Sequence, residues 1–256
     1  MIITIVVCMI AGLGAGIGTG LAGLSAAAVI TPMLITFLDM DAFDAVGVAL
    51  SSDVLASAIS AYTYGKNKNI DIKNGLVLLA AVLVFTIVGT YTASLVPNAA
   101  LGGFSVFMTL FIGIKFIVKP TKPNPTKEKN QTRQEMLFKS LFFGAIVGFI
   151  CGFIGAGGGM MLLLILTSIL NYDLKKAVGT SVFIMSFTAF TGAVSHFAVD
   201  GEIPDVTILS LCIFFTLVGA QIASRFANKA TPETLNRITG YVLSGLGIFM
   251  IIMKYF

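Results

Sequence analysis

Read for hydropathy, the chain is a succession of long apolar runs separated by short polar ones. Uninterrupted apolar stretches cover residues 2–38, 45–65, 76–95, 99–118, 137–170, 177–198, 206–224 and 238–256. They predict membrane-spanning helices, because a spanning helix needs about 20 consecutive apolar residues whereas a barrel strand shows only about ten of alternating polarity. Two runs are too long for a single crossing. At ~1.5 Å per helical residue, segment 137–170 would reach ~51 Å, well beyond a hydrocarbon core of ~30 Å. Its middle, GFIGAGGGMM, is where a helix breaks, and segment 2–38 repeats the pattern with a break near GTGLAGLS. Each is expected to form two helices, or half-helices, meeting at a glycine-rich bend. The fold class is therefore an all-α integral membrane protein of eight to ten membrane helices with glycine-broken hairpins.

The chain also repeats itself. When it is slid along itself until Gly12 falls on Gly144, then Gly16, Gly20 and Gly23 fall on Gly148, Gly152 and Gly155, and Asp41, Ala45, Val46 and Gly47 fall on Asp173, Ala177, Val178 and Gly179. With small shifts for loop length, GTYTA at 89–93 falls on GAQIA at 219–223, and Pro97 on Pro232. Residues 1–118 and 137–256 are thus read as homologous halves. They are joined by residues 119–136, a stretch beginning KPTKPNPTKEKNQTRQE, whose prolines and charges suit a surface linker rather than a core. Lys and Arg give the orientation: there are none in residues 39–44, three in 66–75, six in 119–139, two in 171–176, none in 199–205 and three in 225–237. Because cytoplasmic loops collect Lys and Arg, corresponding loops of the two halves carry opposite bias. The halves are expected to be inverted repeats, with the linker cytoplasmic and both termini outside the cytoplasm.

Composition narrows the function. The chain is 57% hydrophobic and 11% charged, with a mean hydropathy of +0.97, whereas a soluble domain is roughly 25% charged. An ordinary soluble enzyme is excluded, and the lipid bilayer is the first partner. The net charge of +4 sits beside apolar segments, where it sets topology, so no nucleic-acid partner is expected. Cys8, Cys151 and Cys212 lie singly in apolar runs and propose neither a disulfide framework nor a metal site. The N-terminal MIITIVVCMIAG has no basic lead and reads as a retained membrane segment. GTGLAG, residues 18–23, satisfies GxGxxG without a β-α-β context, and GAGGGMM lacks the Lys-Ser/Thr of a phosphate loop. No cofactor is expected, and any active transport must be secondary.

Three features could carry chemistry. The glycine bend of Gly155, Gly157, Gly158 and Gly159, with the counterpart Gly23 and Ser25, would expose backbone N–H groups to an anion, or else pack helices closely. Gly179, Thr180 and Ser181, with Gly47, Ser51 and Ser52 in the first half, bring hydroxyls that face a polar pathway or bond back along their own helix. Asp53 is the one acidic residue deep in an apolar segment and reads as a coupling group, a proton carrier or cation ligand. His196, the sole histidine, is the second coupling candidate, although its place near a helix end suits an interfacial residue. A Ser–His hydrolase fails on geometry: Ser195 adjoins His196, and Ser181 lies roughly 22 Å away along one helix.

GFIGAGGGMMLLLIL followed by LKKAVGTSVFIMSFTAFTGAVSHF, with the duplicated first half, resembles the sulfite exporter TauE/SafE family, also called the 4-toluene sulfonate uptake permease family. The first half has GVALSSD where the second has GTS. The resemblance implies an inner-membrane, multi-pass permease for small anions, often sulfite or organosulfonates, driven by a proton or ion gradient. The expected protein is a secondary transporter, an exporter by that family's description, and not an enzyme. A passive anion channel on the same scaffold is the alternative.

Overall fold

The computed structural model describes residues 2–97, 133–155, 158–170, 172–200 and 204–231, with isolated positions at 114, 118 and between 234 and 248. The apolar segments expected at 99–118 and 238–256 and the linker at 119–136 lie outside the described residues, apart from those positions and the start of the helix at Arg133. Every regular element described is helical. In chain order these are α1 (Ile2–Ala22), α2 (Ala27–Leu38), α3 (Ala42–Lys66), α4 (Ile72–Ser94), α5 (Arg133–Ile154), α6 (Gly158–Leu164, continued by a π turn over Ile165–Ile169), α7 (Leu174–Asp200) and α8 (Val206–Ala227). Six of them, all but α2 and α6, are long and apolar enough to cross a membrane.

Both over-long segments break where the glycines predict. α1 ends at Ala22, and Gly23 turns the chain at φ +66°; α5 ends at Ile154, and Gly155 turns it at φ +71°. The two glycines are counterparts in the repeat and share the left-handed conformation that a side chain resists. α2 and α6 then lead back towards the ends from which α1 and α5 came.

The remaining repeated glycines pack helices. α1 lies against α8, and α4 against α5. A Cβ at Gly12 would meet Phe215 Cβ at 2.7 Å, one at Gly16 would collide with the Thr216 carbonyl, and one at Gly20 would meet the Ala220 carbonyl at 2.7 Å. In the other pair, Gly144, Gly148 and Gly152 press on the carbonyls of Leu78, Val82 and Thr86, while Gly89 presses on that of Phe149. Lipid gives helices no hydrophobic reason to associate, so close backbone approach through small residues is what holds such pairs. α3 crosses α7 at the centre.

Loops gather at the two ends of α3. Where α3 finishes, Asn69 Nδ2 donates to Asn228 Oδ1 (3.1 Å), Lys175 Nζ donates to the Asn228 carbonyl (2.7 Å), and the Tyr172 hydroxyl donates to Asp71 Oδ2 (2.9 Å). This end carries Lys66, Lys68, Lys73, Lys175, Lys176, Arg225 and Lys229. Where α3 begins, Asp41, Phe43, Asp44, Ser94, Pro97 and Val199 line an open cavity of about 520 Å³. Residues 41–44 and residues 172–176, counterparts in the repeat, thus sit at opposite ends of α3.

Gly148→Ala places a methyl group on the Val82 carbonyl and should lower thermal stability in detergent by ~1–3 kcal/mol, as overpacking does. Gly245→Ala, with nothing within 4 Å of the added Cβ, is the control and should be neutral or slightly stabilising.

Candidate functional site

A helix that stops inside a membrane leaves carbonyls and N–H groups that no water can serve. At the first bend, the Gly18 and Thr19 carbonyls accept from Leu24 N and Gly23 N at 3.4 and 2.9 Å, and the Gly20 carbonyl accepts from the Tyr64 hydroxyl at 3.2 Å. At the second, the Cys151 carbonyl accepts from Gly155 N at 2.8 Å, and the Gly152 carbonyl lies 3.1 Å from His196 Nε2. A carbonyl only accepts, so Nε2 carries the proton. Tyr64 and His196 occupy counterpart positions in the repeat, as do Gly20 and Gly152: two unlike side chains serve the same carbonyl in the two halves.

The two bends meet. Ser25 Oγ donates to the Gly155 carbonyl at 2.9 Å and accepts from Ala27 N at 3.3 Å. Ser181, on α7, shares its hydroxyl proton between the carbonyls of Gly159 (3.0 Å) and Gly23 (3.4 Å). A Cβ at Gly159 would strike the Gly23 carbonyl, and one at Gly155 would lie 2.7 Å from Val46 Cγ1. Ser25, Gly155, Gly159, Gly23 and Ser181 therefore form one buried polar junction between the halves.

Asp53 faces this junction from near the middle of α3, fully buried. Its Oδ1 accepts from Ser57 Oγ at 2.8 Å. Thr19, Ser25 and the Ala26 N–H also lie close to the carboxyl group, and Oδ2 makes no hydrogen bond of regular geometry. The carboxyl group thus stands at the start of α2, the positive end of that helix dipole. At the counterpart start of α6, the residue that the repeat aligns with Asp53 is Met185, whose Sδ lies 3.6 Å from where a Cβ of Gly158 would be. One helix start faces an acid and the other faces a thioether.

The other sequence candidates lie elsewhere. Gly157 is outside the described residues. Gly47 packs on Phe197 and His196, and Ser51 and Ser52 bond back to the carbonyls of Gly47 and Val48, each at 2.9 Å. Gly179 lies against the Asn69 carbonyl, and Thr180 Oγ1 accepts from Asp71 N at 3.0 Å, so these two hold the 67–71 loop while their neighbour Ser181 holds the bends. His196 is buried inside the protein, 1% exposed, with the Phe43 ring tilted against its own at 4.2 Å between centroids. The physical reason is the Gly152 carbonyl it serves. Thr19, Tyr64 and Asp71 were not singled out in the sequence. Of these, Tyr64 was detectable as the residue matching His196 in the repeat. Among the described residues no cluster of acidic, Cys or His side chains suits a metal ion.

A multi-pass helical protein with two broken helices meeting at its centre has the architecture of a membrane transporter, and comparison with known proteins agrees. Residues 8–250 match the model of the sulfite exporter TauE/SafE family; the chain belongs to that family. It is 26% identical over 268 residues to the probable membrane transporter YunE of Bacillus subtilis, covering 96% of this chain and 97% of that one. It is 24% identical over 264 residues to a probable membrane transporter of Methanocaldococcus jannaschii, covering 95% and 94%. A third relative, the probable membrane transporter YdhB of B. subtilis, is 22% identical over 213 residues, covering 83% and 86%. No solved structure matches. The protein is thus a multi-pass cell-membrane transporter, and these names point to transport rather than catalysis.

Outside the membrane spans, the Asp71 pin at the lysine-rich end is open to a pH test. Burial opposes its charge, but the side chain and backbone N–H of Asn74, the Tyr172 hydroxyl and Lys176 outweigh burial and hold the carboxyl below its ordinary range. Lys176, 3.7 Å away and 44% exposed, contributes under ~1 kcal/mol. A depressed folded value means the stabilisation is complete above the unfolded value, about pH 4, and is lost as pH falls through the folded one. Asp71→Asn should therefore lower the melting temperature at pH 7, and its deficit relative to wild type should shrink only below about pH 4.

Proposed function

We propose that this protein is a secondary transporter that exports a small anion, of the sulfite or organosulfonate type, holding it where the two bends meet and coupling its movement to a proton carried by Asp53. The observation that carries the reading is Asp53 itself, an acid sealed at the junction of two broken helices with one carboxylate oxygen unbonded. A buried ionisable group in a membrane span is costly and by default functional. The anion class is supported by the contrast between the helix starts. α2 has the Asp53 carboxyl group of α3 at its positive end, whereas the matching position beside α6 is Met185, and the Ser25 and Ser181 hydroxyls, once turned from the bend carbonyls, stand between them. A negative substrate entering the junction would repel an ionised Asp53, so proton uptake and anion binding favour each other and the two cross together, a gradient of either moving the other.

The halves are inverted repeats in this reading, supported by the opposite placement of residues 41–44 and 172–176 along α3. The lysine-rich end is the cytoplasmic one, as the distribution of Lys and Arg favours. Its charge would draw anions towards the junction from within, whereas the opposite mouth carries Asp41 and Asp44.

Proteoliposomes given sulfite on the outside test the reading. Wild type should accumulate sulfite when a pH gradient is imposed, with a rate that saturates. Asp53→Asn mimics the protonated acid, so it should keep sulfite exchange at equal pH but lose accumulation. Full gradient-driven accumulation by Asp53→Asn would show that coupling lies elsewhere, and single-channel currents in wild type would favour a passive channel.

A further inference from the structure

Asp53 heads a stripe. Ser57, Ser60 and Tyr64 follow it on α3 at the spacing that keeps side chains on one helix face. All four are fully buried, at 0% exposure. Ser57 bonds Asp53, Ser60 Oγ has no partner, and the Tyr64 hydroxyl reaches the Gly20 carbonyl. Tyr64 Cβ in turn lies beside Gly179 and the Asn69 backbone, immediately beneath the loops of the lysine-rich end. On α7, the positions that the repeat aligns with these four hold Met185, Ala189, Gly192 and His196. Only His196 among these carries an exchangeable side-chain proton, so α7 offers no continuous counterpart to the stripe. The counterpart helix therefore does without a polar stripe, and an unbonded buried hydroxyl is costly to keep.

Building on the reading of Asp53 as the coupling group, we propose that Ser57, Ser60 and Tyr64 form the path by which its proton reaches water at the lysine-rich end, while the acidic end reaches Asp53 only through the substrate passage between the bends. Each hydroxyl, and each water molecule admitted between Ser57 and Tyr64, accepts one proton and gives up another, so no bond is gained or lost along the path. The groups facing Asp53 are Thr19 from α1, Ser25 and the Ala26 N–H from the first bend, Ser57 on its own helix, and the Cys151 thiol from α5. None of these is a fixed charge, so access to water governs when the acid gains or loses its proton.

Ser60→Cys in a background of Cys8→Ala, Cys151→Ala and Cys212→Ala, reconstituted in vesicles of known orientation, tests this with a charged, membrane-impermeant thiosulfonate reagent. Labelling should be at least tenfold faster from the lysine-rich side than from the acidic side, and Ala189→Cys, on the counterpart stripe of α7, should label from neither. Ser60→Val should also slow pH-driven sulfite accumulation at least tenfold. If Ser60→Cys elutes as a folded protein but resists the reagent from the lysine-rich side, or labels equally from both, the path is wrong. If it resists while Asp53→Asn still abolishes accumulation, the path alone fails. If it labels from the lysine-rich side while Asp53→Asn accumulates sulfite in full, the reading of Asp53 fails and takes the path's role with it.

Discussion

The backbone of a helix broken inside a membrane must find its hydrogen bonds in the protein itself, because hydrocarbon offers none. That constraint accounts for the buried polar side chains gathered at the bends. Tyr64 and His196 serve carbonyls released at the ends of α1 and α5, Ser25 reaches across to Gly155, and Ser181 ties Gly23 to Gly159. The breaks are possible because Gly23 and Gly155 accept a left-handed turn. They are held in place because α1 and α5 are clamped, through glycines, against α8 and α4. Packing and polar satisfaction therefore form one system, in which loosening a helix pair would unbond a bend.

On this shared scaffold the two halves carry different chemistry. Equivalent positions hold Asp53 and Met185, Ser60 and Gly192, Ala49 and Ser181. Matching positions of the two halves thus place an acid beside one helix start and a hydroxyl that bridges the two bends. In the proposed mechanism this inequality lets substrate and coupling proton meet at one place yet be held by different groups.

Much of this was legible in the sequence. The over-long apolar runs and the glycines recurring at one fixed offset located both breaks, and the isolation of Asp53 marked it out. The role of each glycine was not legible: Gly20 packs and Gly23 bends, and only the course of the backbone separates them. Nor did the GTS run announce its division, since on a helix Thr180 and Ser181 point about 100° apart; one meets a loop and the other the bends. The kinship of Tyr64 and His196 shows only when the repeat offset is applied position by position, because matching by identity cannot see two different side chains that donate to the same carbonyl.

A crystal soaked in selenite, the heavier analogue of sulfite, tests the central claim most directly, because selenium is located by its anomalous scattering. The account predicts one dominant peak at the junction, within hydrogen-bonding reach of Ser25 or Ser181 and beside the start of α6. A junction without a peak, or a dominant peak in the open cavity beside Asp41 and Asp44, would contradict it.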